Sequence, residues 1–306
     1  MQIAIGLIRL QEWFNGDFTK VIELVRIADE KGIDLVTLTD HLAYSESINK
    51  YPHGKFKFEL DTPFFEPIPA LAAIAAVTKR IRLSTSILVG PLRSALLLAK
   101  QLATLDMISG GRTEIGLGAG WHKEEFDACG VAFEGRFGHL MEQAAAMRVL
   151  WKDAPASFHG KHIHFDGLYS LPFPVQNGGI PILFGLAPNE RNFERIAEFG
   201  DGWVPIERDP ALLEGMIASL RTEFVKRGRD PSKLQVRVMP EGTSSTALEK
   251  IEKYGKLDLE ETAARIPALL RAGVTQLEFQ PTVWVDGPDE FPAFMQRLVA
   301  LKERFD

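Results

Sequence analysis

Short runs of apolar and β-branched residues recur along the whole chain, at 3–7, 35–39, 81–88, 113–117, 180–184, 202–206, 234–239 and 276–280. Runs of this length bounded by turn residues read as buried strands. Between them the apolar positions shift to a spacing of three and four, the period of an amphipathic helix. Such segments are FTKVIELVRIADEK, PIPALAAIAAVTK, SALLLAKQLATLDMI, HLMEQAAAMRVLW, NFERIAEF, LLEGMIASLRTEFVKR, LEETAARIPALLRA and EFPAFMQRLVALKERF. The pattern is a regular β-then-α alternation.

Four helices run into a glycine followed almost at once by a strand, at Gly32, Gly110, Gly200 and Gly273. A left-handed glycine C-cap, which side-chain-bearing residues resist, turns the chain back toward the sheet. Alternating units with this turn imply parallel strands, and eight of them favour closure into a (β/α)8 TIM barrel of the α/β class over an open sheet. One domain over residues 1–306 is expected. Three connections exceed simple loops: 43–65, 121–136 together with 152–179, and 240–256. The first two should thicken the C-terminal rim, where barrel active sites form. FHGKHIHFDGLYSLPFP reads as a small hairpin turning at Asp166 and Gly167.

Composition adds exclusions. The chain has 306 residues, 45% hydrophobic and 25% charged, with a formal charge of −6. Its Lys and Arg are scattered, so no basic stripe invites nucleic acid. No apolar run approaches a membrane span, and the start MQIAIGLIRLQEW lacks the basic segment and cleavage site of a signal peptide, so a cytoplasmic protein is expected. The lone Cys129 excludes an internal disulfide and cysteine-built metal centres.

Candidate chemistry gathers at strand ends. Asp40 and His41 follow the second strand, where a histidine can move protons beside an orienting carboxylate. Ser84, Thr85 and Ser86 interrupt an apolar strand, so they either meet a ligand or pair internally. Gly116, Gly118 and Gly120 allow close approach but miss the dinucleotide fingerprint, since Trp121 stands where its third glycine belongs. Trp121 and His122 suit a planar ligand or rim packing. Gly185 opens a loop before a helix N-terminus, a place for a phosphate or a plain turn capped by Asn189. Glu12, Trp13, Glu207, Arg208 and Gln280 are pocket candidates by position alone. Of His159, His162 and His164, the last two share one face of a strand, with no acidic or sulfur ligand close by, so a solvent-exposed hairpin and no metal site are expected.

TDH after the second strand, RIRLSTSILVGPLRSALLLAKQLATLDMISGGR, GLGAGWHKEEFDACGVAFEGRFGHLMEQ, FHG, PILFG and FGDGW together resemble the bacterial luciferase-like superfamily of flavin- and deazaflavin-dependent oxidoreductases. The resemblance covers nearly the whole chain. It implies a barrel with an insertion after the fourth strand, a homodimer, a small-molecule substrate, and FMN or the deazaflavin coenzyme F-420, with a flavin or deazaflavin reductase as a candidate partner. It makes His41 the active-site histidine and Asp40 a cofactor contact. It makes Ser86–Ile87 a non-proline cis peptide behind the ring, with Val89 in the same wall, and it brings the backbone of Gly185, Leu186 and Ala187 to the phosphate. TDH with GLGAGW is closer to the deazaflavin branch, which favours hydride transfer over the alternative of a two-component monooxygenase using reduced FMN. Leu186 departs from the two glycines common in deazaflavin phosphate loops. Trp121 stands where sugar-phosphate dehydrogenases of the group carry an acid, so that reaction is not expected.

Overall fold

The computed structural model describes residues 1–46, 48, 51–52, 58–241, 251 and 255–305. About a third of the 43–65 connection and most of the 240–256 connection lie outside these residues.

Eleven strands run in chain order among the described residues: β1 (Gln2–Gly6), β2 (Leu35–Leu38), β3 (Arg82–Thr85), β4 (Leu88–Val89), β5 (Ile115–Gly118), β6 (Ala156–His159), β7 (His164–Leu168), β8 (Ile182–Phe184), β9 (Gly202–Trp203), β10 (Gln235–Val238) and β11 (Gln276–Phe279). Nine form one sheet in the order β3-β2-β1-β11-β10-β9-β8-β5-β4, with every ladder parallel. β3 and β4 are halves of one stave, interrupted at the cis Ser86–Ile87 bond. Its first half pairs with β2 and its second with β5, and a parallel bridge between Leu83 and Thr113 closes the ring. Eight staves and a closed parallel sheet make this the expected (β/α)8 barrel.

The helices are α1 (Phe18–Lys31), α2 (Pro67–Val77), α3 (Ala95–Ser109), α4 (Lys123–Ala128), α5 (Arg136–Leu150), α6 (Glu190–Phe199), α7 (Pro210–Lys226), α8 (Leu259–Ala263), α9 (Ile266–Ala272) and α10 (Phe291–Phe305). The short α4 lies inside a stretch that the pattern leaves as a connection. Among the described residues, no helix is long and apolar enough to cross a membrane. Gly32, Gly110 and Gly273 take the left-handed cap. Gly200 does not: its φ is −112°. Glycine is required there for space instead, because a Cβ would lie 2.7 Å from the Phe184 ring.

The barrel interior explains the polar third strand. Arg237 is fully buried and pairs with Glu114. It also donates to Ser84 Oγ (2.9 Å) and Gln276 Oε1 (2.8 Å). Thr85 Oγ1 donates to the Gly116 carbonyl at 2.7 Å. Ser84 and Thr85 thus pair internally, as buried polar groups must.

The stretch LATLDMISGGR is structural too. Buried Asp106 accepts from the Thr113, Val175 and Gln176 amides, and Arg112 donates to the carbonyls of Ala75, Thr78, Ile81 and Ser109.

Within the 152–179 insertion, β6 and β7 form the hairpin, but its turn is not at Asp166 and Gly167. His159 pairs with His164, which leaves 160–163 as the loop, closed by the Gly160 amide on the Ile163 carbonyl at 2.8 Å. Gly167, at φ 62°, stands where the register shifts, so its left-handed backbone serves a bulge. His162 falls in the loop, where its ring stacks on His139, and does not share a strand face with His164. The acidic neighbour thought to be missing is Asp166, which reaches both His159 and His164.

Candidate active site

The C-terminal ends of the second to fifth staves bring most of the candidate residues together. Asp40 is buried where the second strand ends. Its Oδ2 accepts from the Val89 amide at 2.9 Å, and both its oxygens accept from Arg93, at 2.7 and 3.0 Å. Burial alone would lower the Arg93 guanidinium, but the hydrogen bonds and charges of Asp40 and Glu66 outweigh it and hold Arg93 protonated. Asp40 therefore ties the second strand to the wall formed by Val89.

His41, one residue on, is oriented from across the mouth. Its Nδ1 lies 3.0 Å from Glu125 Oε2, while Glu125 Oε1 accepts from the amides of Leu42 (2.7 Å) and Ala43 (3.2 Å). Burial pushes the Glu125 carboxyl up, but the hydrogen bonds and charge of His41 and the two amides prevail and hold it below the usual range. A carboxylate at Nδ1 fixes the ring orientation and favours the tautomer that carries its proton there.

Aromatic rings surround this pair. Tyr44 lies 4.6 Å from His41, and Phe64 and Trp121 each lie 5.7 Å away. Burial, aided by the charge on Glu125, raises the Tyr44 phenol far above its ordinary value, so it keeps its proton at every pH the fold meets. His122 belongs to the same group, its ring 5.0 Å from Trp121 and 6.3 Å from Tyr44, and its Nε2 accepts from the Ser45 amide at 3.2 Å.

The half-exposed Ile87 forms the floor beside them. Its side chain fills the space left by Gly118 and Gly185, where a Cβ would lie 2.1 and 2.4 Å from Cδ1. At Gly116 a Cβ would meet the Thr85 carbonyl at 2.2 Å and the Ile87 side chain at 3.1 Å. Gly120, at φ 74°, does the same for Val89, whose Cγ1 would lie 2.6 Å away. The glycines of GLGAG are there so that these two side chains can pack across the staves.

The Gly185 amide is spent on the Leu117 carbonyl at 2.8 Å. The next two carbonyls are also committed: Leu186 accepts from Trp203 Nε1 at 2.8 Å and Ala187 from Asn192 Nδ2 at 3.0 Å. The amides of Leu186 and Ala187 donate to no described residue, so this turn offers donors without opposing lone pairs, which suits an anion. Asn189 caps the following helix, its side chain accepting from Asn192 N at 2.9 Å. An apolar floor, aromatic walls and an adjoining anion turn together fit a flavin-type cofactor with its phosphate.

Glu125, Arg93, Tyr44, Phe64 and Trp203 are absent from the sequence-derived set. Glu125 and Trp203 sit in GWHKEEF and FGDGW, motifs whose spacing alone does not reveal their roles. Beneath the floor, Thr37 donates to Glu278 at 2.8 Å, and burial raises this carboxyl against the pull of Arg237, Ser86 and Thr37.

The positional candidates fall elsewhere. Trp13 packs edge-on against Phe291, and Glu12 pairs with Arg9. Glu207 and Arg208 line a cleft of about 610 Å³ with Ile206, Asp209, Pro210 and Arg265, after the sixth stave and so across the barrel from His41. That cleft shares no residue with the group around Ile87.

Residues 8–253 match the luciferase-like monooxygenase family. The Rv0953c protein of Mycobacterium tuberculosis is 34% identical over 204 residues, 66% of this chain and 70% of that one. The pyrimidine monooxygenase RutA of Allorhizobium ampelinum is 29% identical, covering 62% and 53%. The 5,10-methylenetetrahydromethanopterin reductase of Methanolobus tindarius is 26% identical, covering 71% and 59%.

Among solved structures, the monooxygenase RslO1 of Streptomyces bottropensis superposes with a TM-score of 0.75 at 22% identity over all of both chains. The coenzyme F-420 dependent tetrahydromethanopterin reductase of Methanopyrus kandleri superposes with a TM-score of 0.71 at 18% identity, over 98% of each chain. With the barrel and its rim in place, the chain belongs to the luciferase-like monooxygenase family and is an enzyme of that family.

Proposed function

We propose that this enzyme transfers a hydride between the deazaflavin coenzyme F-420 and a small organic substrate. The observation that carries the reading is His41, locked at Nδ1 by Glu125 beside the Ile87 floor. Relatives in the family include both a reductase and a monooxygenase. The bound coenzyme would give or take the hydride. Ile87 and Val89 would support the ring, Asp40 would hold Val89 in place, and the Leu186 and Ala187 amides would take the phosphate. His41 would move a proton at the substrate, while Trp121, Tyr44 and Phe64 keep water out.

The test is a fluorescence titration of cofactor-free protein with the deazaflavin and with FMN, each oxidised and reduced. Binding of the deazaflavin, with turnover that His41→Ala abolishes while binding survives, supports the reading. Binding of reduced FMN alone, with oxygen uptake, would replace it by the monooxygenase of a two-component system fed by a flavin reductase. Binding of neither would overturn the site itself.

A homodimer, acting in the cytoplasm, completes the proposal. Leu96 and Leu97 at the start of α3 and Met107 and Ile108 at its end are exposed on one face, with Lys100 and Thr104 between them, two apolar patches of the kind that a second copy covers. Leu97→Glu with Ile108→Glu would leave a monomer by sedimentation; a wild-type protein already monomeric at micromolar concentration would refute it.

A further inference from the structure

The solvent side of the β6–β7 hairpin carries three side chains able to bind a metal. Cross-strand pairing sets His159 opposite His164, and Asp166, two residues on, shares that face. The alternate residues Phe158 and Phe165 stack together on the other side. Asp166 Oδ1 lies 3.1 Å from His159 Nε2, its Oδ2 lies 3.1 Å from His164 Nε2, and the two Nδ1 atoms are 3.1 Å apart. One ligand atom from each residue falls within 4.8 Å of the others. Zinc with donors at about 2.0–2.1 Å in a tetrahedron separates them by roughly 3.3 Å, close to the nitrogen–oxygen distances already present.

The hairpin also holds its shape without a metal. Glu142 on α5 accepts from the Lys161, His162 and Ile163 amides at 3.0, 2.7 and 3.2 Å, which clamps the loop between the strands. Little rearrangement would therefore accompany binding.

We propose that His159, His164 and Asp166 form a zinc site of two imidazoles and one carboxylate, with water completing the coordination. The donors are nitrogen and oxygen without a thiolate, a set that zinc accepts and that magnesium and calcium do not favour. The three residues are exposed, touch none of the groups around His41, and serve to fasten one strand of the insertion to the other.

The experiment uses full-length, untagged, chelator-stripped protein, titrated with zinc chloride in competition with a chromophoric chelator. The wild type should take up one equivalent. His164→Ala and Asp166→Asn should each weaken uptake by roughly tenfold or more, whereas His162→Ala, which removes the loop histidine, should leave it unchanged. Zinc should raise the melting temperature of the wild type but not of His164→Ala. All three proposed ligands are solvent-exposed, so these substitutions leave the core intact, and circular dichroism will verify it. Absence of stoichiometric uptake, or uptake that survives both His164→Ala and Asp166→Asn, would overturn the site.

Discussion

Glu125 reaches across the barrel mouth to bind Nδ1 of His41 at 3.0 Å, joining a helix that follows the fourth stave to a residue at the end of the second. The same carboxylate accepts from two amides just beyond His41. Glu125→Gln keeps the shape but replaces the carboxylate that orients the ring with a neutral amide. We expect it to lower kcat by roughly tenfold, and His41→Ala by about a hundredfold or more, with cofactor affinity unchanged. Equal turnover in all three proteins would remove His41 from the chemistry.

The same residue has a stability signature. Glu125 titrates below its ordinary value in the folded protein. In that window the unfolded chain binds more protons, so the stabilisation is present above the ordinary carboxylate value and is lost as pH falls through the lowered one. Urea unfolding of Glu125→Gln should show a shallower loss of stability on acidification than the wild type. Parallel curves would mean that the hydrogen bonds do not survive in solution.

Gly118→Ala tests the floor. The new methyl would overlap Ile87 Cδ1, the far end of a side chain that can turn aside, so the fold should persist while the floor moves. We expect coenzyme binding to weaken by about tenfold, the scale of a misplaced contact in a preorganised site, with the melting temperature little changed. A titration matching the wild type would show that Ile87 does not carry the ring.

The barrel was legible in the sequence because strand and helix periods alternate so regularly, and each of the eight apolar runs became a stave. Local geometry was less so. Gly200 reads like the other helix-ending glycines, yet it answers to the Phe184 ring across the turn, a contact that no local pattern announces. Asp166–Gly167 looks like a hairpin turn, but the pairing of His159 with His164 places the turn earlier. At the candidate site, the sequence points to Asp40 and His41 by their place after a strand. It does not point to Glu125, because that residue's partner lies 84 residues away and only the closure of the barrel brings the two together.

Glu278 runs opposite to Glu125. Burial raises its carboxyl above the ordinary value, so between the unfolded and folded values the native state holds the extra proton and stability falls as pH rises. Glu278→Gln is neutral throughout and can still accept from Thr37. It should gain stability relative to the wild type as the solution is taken from pH 4 to pH 8, read as a rising difference in urea midpoints. A constant difference would mean that Glu278 is ionised in the fold.

Arg237 bears the largest expected cost. Its guanidinium and the Glu114 carboxylate are both fully buried in the barrel, where Ser84 and Gln276 complete the hydrogen bonds. Arg237→Met would leave Glu114 with Arg82 at 3.2 Å as its remaining ion-pair partner and strip the donor from three neutral groups, Ser84 Oγ, Gln276 Oε1 and the Thr85 carbonyl. Removing one member of a buried pair costs about 3–5 kcal/mol, because the surviving charge stays out of water. The double variant Arg237→Met, Glu114→Gln lifts that burden and should recover part of the loss. If the double variant is as unstable as the sum of the single changes, the two groups do not act as a pair and the polar interior is held by its neutral hydrogen bonds instead.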